Sequence, residues 1–208
     1  VYLKVDTEFW KKHGSFVEAN NRGYGYWLWK PHLIYKTMKK LNDGDILVYA
    51  DAGCTINQYG KDRFYQYTKL LEESEFGMVA FQLGGCPEFK YSKVMLAQYM
   101  QATEAQMKTD QMMATVVMMK KTSYTMKFLD EWCMIASNYS LINDEKTMME
   151  NPGFVDHRHD QSIYSLLVKR YLDENGSQKP VILSDETFFH PNWSQGREYP
   201  FWATRVRG

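Results

Sequence analysis

The 208 residues include 25 Lys and Arg and 25 Asp and Glu, so the formal net charge is zero, and 44% of the residues are hydrophobic. This balance excludes the global positive field that draws nucleic acid or an anionic membrane surface to a protein. Recognition of any partner must therefore come from a local site.

Hydropathy and cysteine usage bear on the expected compartment. No stretch has the length and apolarity of a membrane span, and the first ten residues lack the pattern of a signal peptide. Three widely spaced cysteines without C-x-x-C spacing argue against a disulfide framework or a zinc cluster. We expect a cytoplasmic domain over residues 1–208, alone or as part of a longer polypeptide, with no nucleic-acid partner and an oligomeric state that the sequence leaves open.

Hydrophobic periodicity and turn residues give the predicted elements in chain order. The first half is predicted to contain a strand at Val1–Val5, a helix at Thr7–Phe16, a Gly- and aromatic-rich loop at Asn20–Lys30, a helix from Pro31, a strand at Ile46–Tyr49, a helix at Lys61–Glu73 and a strand at Gly77–Leu83. The second half is predicted to contain a helix at Lys93–Thr103, a strand at Ala114–Met119, a helix over Tyr124–Ala136, a polar loop at Asn138–Phe154, a helix from Asp160 and a strand at Val181–Leu183. This alternation predicts an α/β fold whose mostly parallel central sheet is flanked by helices.

A buried strand is predicted to deliver one carboxylate, that of Asp51, onto a turn. Ile46–Tyr49 is a continuous apolar run, as in an interior parallel strand, and the turn residue Gly44 precedes it. Asp51 then lies at the carboxyl end of the strand, where ligands bind in open α/β sheets. The alternative is an Asp that only caps the turn by bonding its own backbone.

The segment from His157 to Gln161 places two imidazoles, a guanidinium, a carboxylate and an amide at the start of a predicted helix. A helix amino end favours anions, so Arg158 could hold a phosphate while Asp160 faces a substrate. The alternative is that Asp160 is merely the N-cap and that the histidines are exposed.

The aromatic loop before Pro31 is a third candidate. Gly23 and Gly25 allow a ligand to approach the backbone closely, and Lys30, next to a helix start, can meet a phosphate as a point charge. The loop has the spacing of neither a P-loop nor a dinucleotide fingerprint. The alternative is a loop that folds over the core with Lys30 in solvent.

The order of these segments resembles nucleotide-sugar-dependent glycosyltransferases of the GT-A fold. The motifs are Trp-Lys-Pro at residues 29–31, Tyr-Ala-Asp-Ala-Gly at residues 49–53 and His-Asp-Gln at residues 159–161. The chain looks most like the compact virus-encoded domains of the chlorella-virus type, which help build capsid glycans. The resemblance implies a single GT-A-like domain, a UDP-sugar donor, a glycan acceptor and, for a viral protein, the host cytoplasm.

The resemblance also implies roles for individual residues. Asp160 and Gln161 would be catalytic. The nucleotide-sugar would be bound by Gly23, Gly25, Trp27, Trp29, Lys30, Ala50, Asp51, Ala52, Arg158 and His159. Asp51 matches the first acid of the family's DxD metal motif, but Gly53 replaces the second acid. A Mn²⁺ or Mg²⁺ ion would then be held either mainly by the diphosphate and water or by His190 as a further ligand.

Two other functions remain open at this stage. The chain could be a non-catalytic module that binds carbohydrate or nucleotide, with Asp51 as a structural cap. It could instead be a metal-dependent hydrolase of nucleotide-sugars, with water as the acceptor. The sequence does not specify the sugar, the acceptor or the stereochemistry of transfer.

Overall fold

The computed structural model of the protein describes residues 6–146, 149–174, 176, 178–187 and 196–204. The helices are α1 (Thr7–Ala19), α2 (Gly23–Tyr26), α3 (Trp29–Lys39), α4 (Lys61–Glu73), α5 (Glu88–Tyr91), α6 (Val94–Tyr99), α7 (Glu104–Lys108), α8 (Ser123–Ala136), α9 (Tyr139–Ile142) and α10 (His159–Glu174). The strands are β1 (Ile46–Ala50), β2 (Thr55–Ile56), β3 (Met78–Pro87), β4 (Asp110–Met112), β5 (Val116–Lys120), β6 (Val181–Ser184) and β7 (Phe201–Trp202). A 3₁₀ turn, Gln58–Gly60, precedes α4. The predicted strand at Val1–Val5 lies outside the described residues.

The α/β class is confirmed, but the prediction of a mostly parallel sheet is wrong. In the main sheet β5 pairs antiparallel with both β1 and β3, and β4 pairs antiparallel with β3. Only β6 pairs parallel with its neighbour, which is β3. The sheet is therefore mixed.

The position of β5 explains this difference. β1 and β3 are joined through α4 and run in the same direction, as helix–strand alternation predicts. They are not neighbours, however, because β5 is inserted between them and runs the other way. Alternation along a chain indicates how strands are connected but does not fix which strands become neighbours.

Alternate residues of the central strands enter two separate cores. On one face Met78 of β3 and Val117 of β5 pack with α3, α8 and α10. On the other face Val79 and Met118 pack with Tyr67 and Leu71 of α4. This period of two is expected of strands that are buried on both faces, and it produces a three-layer arrangement.

Capping side chains stabilise the starts of two of the longer helices. Asp6 accepts a hydrogen bond from the backbone N–H of Phe9 at the start of α1, and Thr122 with Thr125 forms a capping box at the start of α8. Within the described ranges, we find no helix with the length and apolarity needed to cross a membrane.

Several predicted boundaries differ from the structure. β3 continues through Gly84 and Gly85, where a loop was predicted, and ends at Pro87. β4 was not predicted, and α9 interrupts the predicted polar loop at Asn138–Phe154. The helices predicted at Lys61–Glu73 and over Tyr124–Ala136 are confirmed as α4 and α8.

Candidate functional site

Asp51 directly follows the last residue of β1, at the carboxyl end of this strand. Ala50 at the end of β1 pairs with Val116 at the start of β5, and the N–H of Asp51 donates to the carbonyl of Thr115 at 2.9 Å. The hydroxyl of Tyr49 donates to Oδ1 of Asp51 at 2.7 Å. The backbone and one carboxylate oxygen of Asp51 are thus fixed by β1 itself and by the segment that enters β5.

Lys30 connects Asp51 with Asp160. Its ammonium lies 2.8 Å from Oδ2 of Asp160 and 3.3 Å from Oδ1 of Asp51, and it also donates to the carbonyl of Ala114 at 3.3 Å. The side chain of Lys30 is 5% exposed, because the first turn of α3 packs it against the end of the sheet. Three residues that are far apart in sequence therefore share one charge cluster, in which Lys30 and Asp160 are buried and Asp51 is partly exposed.

Asp160 is held at the start of α10. The helix begins at His159, so Asp160 lies in its first turn and not at the N-cap position. The indole N–H of Trp132 in α8 donates to the backbone carbonyl of Asp160 at 3.2 Å. The carboxylate interacts with the backbone N–H of Gln161 in its own helix and also forms the ion pair with Lys30, which argues against a role limited to capping.

The ionisation of this cluster is unusual. Burial raises the pKa of Asp160 to about 6, although the ammonium of Lys30 acts in the opposite direction. Burial alone would lower the pKa of Lys30, but the two carboxylates outweigh it and the pKa is raised. Asp160 therefore exchanges protons near neutral pH while Lys30 stays charged, and such a carboxyl group is suited to general acid–base chemistry.

The cluster opens into a cavity of about 480 Å³. Its volume is in the range of small-molecule sites. The wall combines the end of β1, the middle of β3, the segment before β5, the loop before α3 and the start of α10; its residues are Arg22, Trp27, Lys30, Asp51, Leu83, Met113, Thr115, Asp156, His157, Arg158, His159, Asp160 and Gln161.

Arg158 is the cation that remains open to a ligand. Its guanidinium stacks on the ring of Tyr91, 3.9 Å from the centroid, and no carboxylate of the described residues forms an ion pair with it. Arg22, by contrast, pairs with Asp144 and Asp156. The N–H groups of Gln161 and Ser162 in the first turn of α10 donate to the carbonyl of Arg158, so the helix acts on this side of the cavity through its dipole, which with Arg158 favours an anion.

The two histidines are buried, contrary to the alternative of exposed imidazoles. His157 interacts with the carbonyl of Leu141 through Nε2, and His159 interacts with the carbonyl of Ile142 through Nδ1. Because a carbonyl can only accept, these nitrogens carry the protons. Burial lowers the pKa of both groups, so they line the cavity as neutral rings. His159 also has φ of 50°, a left-handed conformation that is unusual for a residue with a Cβ.

Gln161 lines the cavity, but both the oxygen and the nitrogen of its amide form hydrogen bonds within the protein. Its Oε1 accepts from the N–H of Ala114 at 3.3 Å, and its Nε2 donates to Gln111 at 2.9 Å. Gln111 in turn donates to the buried carboxylate of Glu88 at 3.0 Å. Gln161 therefore ties the cavity wall to a buried polar network.

Seven of the residues selected from the sequence lie along the cavity. These are Trp27, Lys30, Asp51, Arg158, His159, Asp160 and Gln161. Five others, Gly23, Gly25, Trp29, Ala50 and Ala52, are not among its lining residues. The ligand His190 lies outside the residues that the structure describes.

The glycines of the aromatic loop serve close packing within the chain. Gly23 has φ of 58°, and a Cβ at this position would lie 2.4 Å from the ring of Trp27. A Cβ on Gly25 would lie 2.9 Å from the side chain of Val17. The indole of Trp29 donates to the carbonyl of Gly23 at 3.0 Å. The loop is thus folded so that Trp27 becomes part of the cavity wall.

Sequence reasoning missed several wall residues. Leu83, Met113 and Thr115 carry no motif, and they reach the cavity because β3 and β5 are neighbours. Arg22 and Asp156 were also missed, although Asp156 directly precedes a segment that was singled out. Only a prediction of the pairing between strands could have found the first three.

The described residues fit a divalent cation poorly. Asp51 and Asp160 offer the oxygen ligands that Mn²⁺ and Mg²⁺ prefer, but the ammonium of Lys30 lies within 3.3 Å of both carboxylates. In the described ranges no group of three or more His, Cys, Asp or Glu side chains is arranged to hold a metal. The metal therefore stays a prediction of the sequence.

Comparison of the chain with protein-family models, with curated proteins and with solved structures finds no match. The likeness to GT-A glycosyltransferases therefore depends on the sequence motifs alone. Any function of the cavity has to follow from the chemistry of the residues that line it.

Proposed function

We propose that the protein is a glycosyltransferase of the GT-A kind, which moves a sugar from a UDP-sugar donor to a hydroxyl group of a glycan acceptor. One observation carries the proposal. Asp51 and Asp160, selected from separate motifs 109 positions apart, converge through Lys30 at the base of a single cavity, and this cavity is also lined by Arg158.

The charges of the cavity suit a nucleoside diphosphate. Arg158 and the amino end of α10 favour an anion on one side, and the ring of Trp27, which stacks on His159, adds apolar surface to the wall that a base or a sugar can contact. The diphosphate would lie toward Arg158 and the first turn of α10. The anomeric carbon would then lie toward Asp160.

Asp160 is the group that acts on the reacting atoms in this proposal. Its carboxylate either accepts the proton of the acceptor hydroxyl or stabilises the positive charge that develops at the anomeric carbon. A base with a pKa of about 6 is largely ionised at neutral pH and still has useful affinity for a proton. Lys30 holds this carboxylate in place and keeps it ionised, and burial excludes competing water.

A thermal-shift comparison of UDP, uridine and other nucleoside diphosphates tests the proposal. A ligand that binds the native state alone raises stability by mass action. We expect UDP to raise the melting temperature and uridine to raise it less, because Arg158 and α10 contact the diphosphate. The absence of a shift with any nucleoside diphosphate, at concentrations up to the millimolar range of weak ligands, would contradict the proposal.

A further inference from the structure

Lys30 occupies the space between the two carboxylates of the site. The side chains of Lys30 and Asp160 are each 5% exposed, and the distances from the ammonium to the two carboxylates are 2.8 and 3.3 Å. The carbonyl of Ala114 accepts a third contact at 3.3 Å. Oxygens on three sides thus surround the ammonium much as they would surround a bound metal ion.

The same oxygen atoms would be needed by a divalent cation. Oδ1 of Asp51 already accepts from Tyr49 and lies 3.3 Å from the ammonium of Lys30. An ion at about 2.0–2.6 Å from both carboxylates would lie within about 5 Å of the ammonium. The repulsion between these like charges opposes such binding, and it is screened little on the side of Lys30 and Asp160, which are buried.

We propose that the ammonium of Lys30 is the resident cation of this site, and that Asp51 and Asp160 bind no divalent metal while it is present. Two consequences follow. An anionic ligand in the cavity meets a guanidinium and a helix amino end, and the ammonium of Lys30, not a metal ion, offsets the charge of the two carboxylates that also line the cavity. Removal of the ammonium leaves two converging carboxylates, and these form a new site for Mn²⁺. Neither consequence requires the proposed sugar transfer.

Calorimetric titration with Mn²⁺ alone tests the inference on three proteins. Wild type and Lys30→Arg, which retains a cation, should show no Mn²⁺ binding that depends on Asp51. Lys30→Met, which keeps most of the length of the side chain without its charge, should gain Mn²⁺ binding on the order of 100-fold above the detection limit at which wild type shows none. The double variant Lys30→Met with Asp51→Asn should lose this gain. A matched control is Lys36→Met, because Lys36 also lies on α3 but pairs with Asp6, away from the cavity.

Wild type alone can overturn the inference if Lys30→Met does not fold. Mn²⁺ binding to wild type that Asp51→Asn abolishes would show that the carboxylates accept a metal in the presence of Lys30. Failure of Lys30→Met to gain Mn²⁺ affinity while it folds would also contradict the inference. Both results are independent of UDP binding, so they can be told apart from a failure of the proposed function.

Discussion

Asp160 is the residue whose environment departs most from that of an ordinary carboxyl group. It is buried against the ammonium of Lys30 and close to the charge of Asp51, and its pKa is raised from 3.8 to about 6. The loss of hydration outweighs the attraction of the single ammonium that two carboxylates share. Burial of an ionised carboxylate costs stability, and a strongly shifted pKa of this kind is typical of residues in functional sites.

The pH dependence of stability should report this cost. Between pH 3.8 and about 6 the native state binds a proton at Asp160 that the unfolded state releases, so stability falls as the pH rises through this window. From about pH 4 to about pH 7 the stability of wild type relative to Asp160→Asn should therefore fall by about 2 kcal/mol. Urea unfolding of both proteins across this range measures the difference. Parallel pH profiles would show that Asp160 has an ordinary pKa.

Arg158 should act on the phosphates of a ligand and not on its base. Arg158→Ala should weaken UDP binding by about tenfold or more, the size of a lost charged hydrogen bond, and leave uridine binding nearly unchanged. Arg197→Ala is a matched control, because Arg197 also stacks on a tyrosine, Tyr59, but does not line the cavity. Calorimetry with UDP and uridine measures both effects. Equal losses for the two ligands would indicate a structural effect.

At the scale of residues, the sequence predicts which side chains line the cavity but not which of them form ion pairs with each other. Asp51, Lys30 and Asp160 were each selected from local patterns, and they do share one cavity. Lys30 was expected to contact a diphosphate, whereas in the structure its ammonium is bound by two carboxylates. Contacts between residues 30, 51 and 160 depend on how α3, β1 and α10 pack together, and no local pattern contains that information.

At the scale of elements, β5 positions the site. Its insertion between β1 and β3 places the preceding segment, Met113–Thr115, directly beside Asp51 and Lys30. The helices and the buried strands were mostly predicted, because their periodicity is a local property. Which strands lie next to each other in the sheet was not predicted, because strand pairing depends on contacts between distant parts of the chain.

A second buried charge pair joins α5 to α10. Glu88 is fully buried and lies 2.8 Å from the ammonium of Lys169, and it also accepts from Ser92, Ser165 and Gln111. Through Gln111 this network reaches Gln161 at the cavity. We infer that it fixes the start of α10 against the neighbouring strands.

Removal of the carboxylate should therefore be costly. Glu88→Ala should destabilise the protein by about 3–5 kcal/mol, because the ammonium of Lys169 remains buried without its counter-ion. The matched control is Glu104→Ala, which breaks the exposed pair with Lys108 and should change stability little. Urea unfolding of the two variants gives the comparison. Similar small losses in both would show that the buried network is not needed for stability.

At the scale of the whole molecule, the cavity exists only when the fold is complete. The residues of its wall are spread along the chain from Arg22 to Gln161, and they come from the strands, from the loop before α3 and from the start of α10. The sequence predicts the α/β class, since alternating elements are visible along the chain. It does not predict the mixed sheet, and the shape of the cavity follows from that sheet.

The central claim is that Asp160 acts on the reacting sugar, and the Asp160→Asn variant tests it most directly. Its sugar transfer is measured in single turnover, and its melting temperature is measured separately to check that it folds. The substitution removes the basicity of the carboxylate but changes the shape of the side chain little. Wild type should release UDP from a UDP-sugar faster when a glycan acceptor is added, and the variant should keep its fold and UDP binding while transfer falls by ~10²-fold or more. Transfer near the wild-type rate in a folded Asp160→Asn protein would contradict the assignment of Asp160 and of this cavity as the active site.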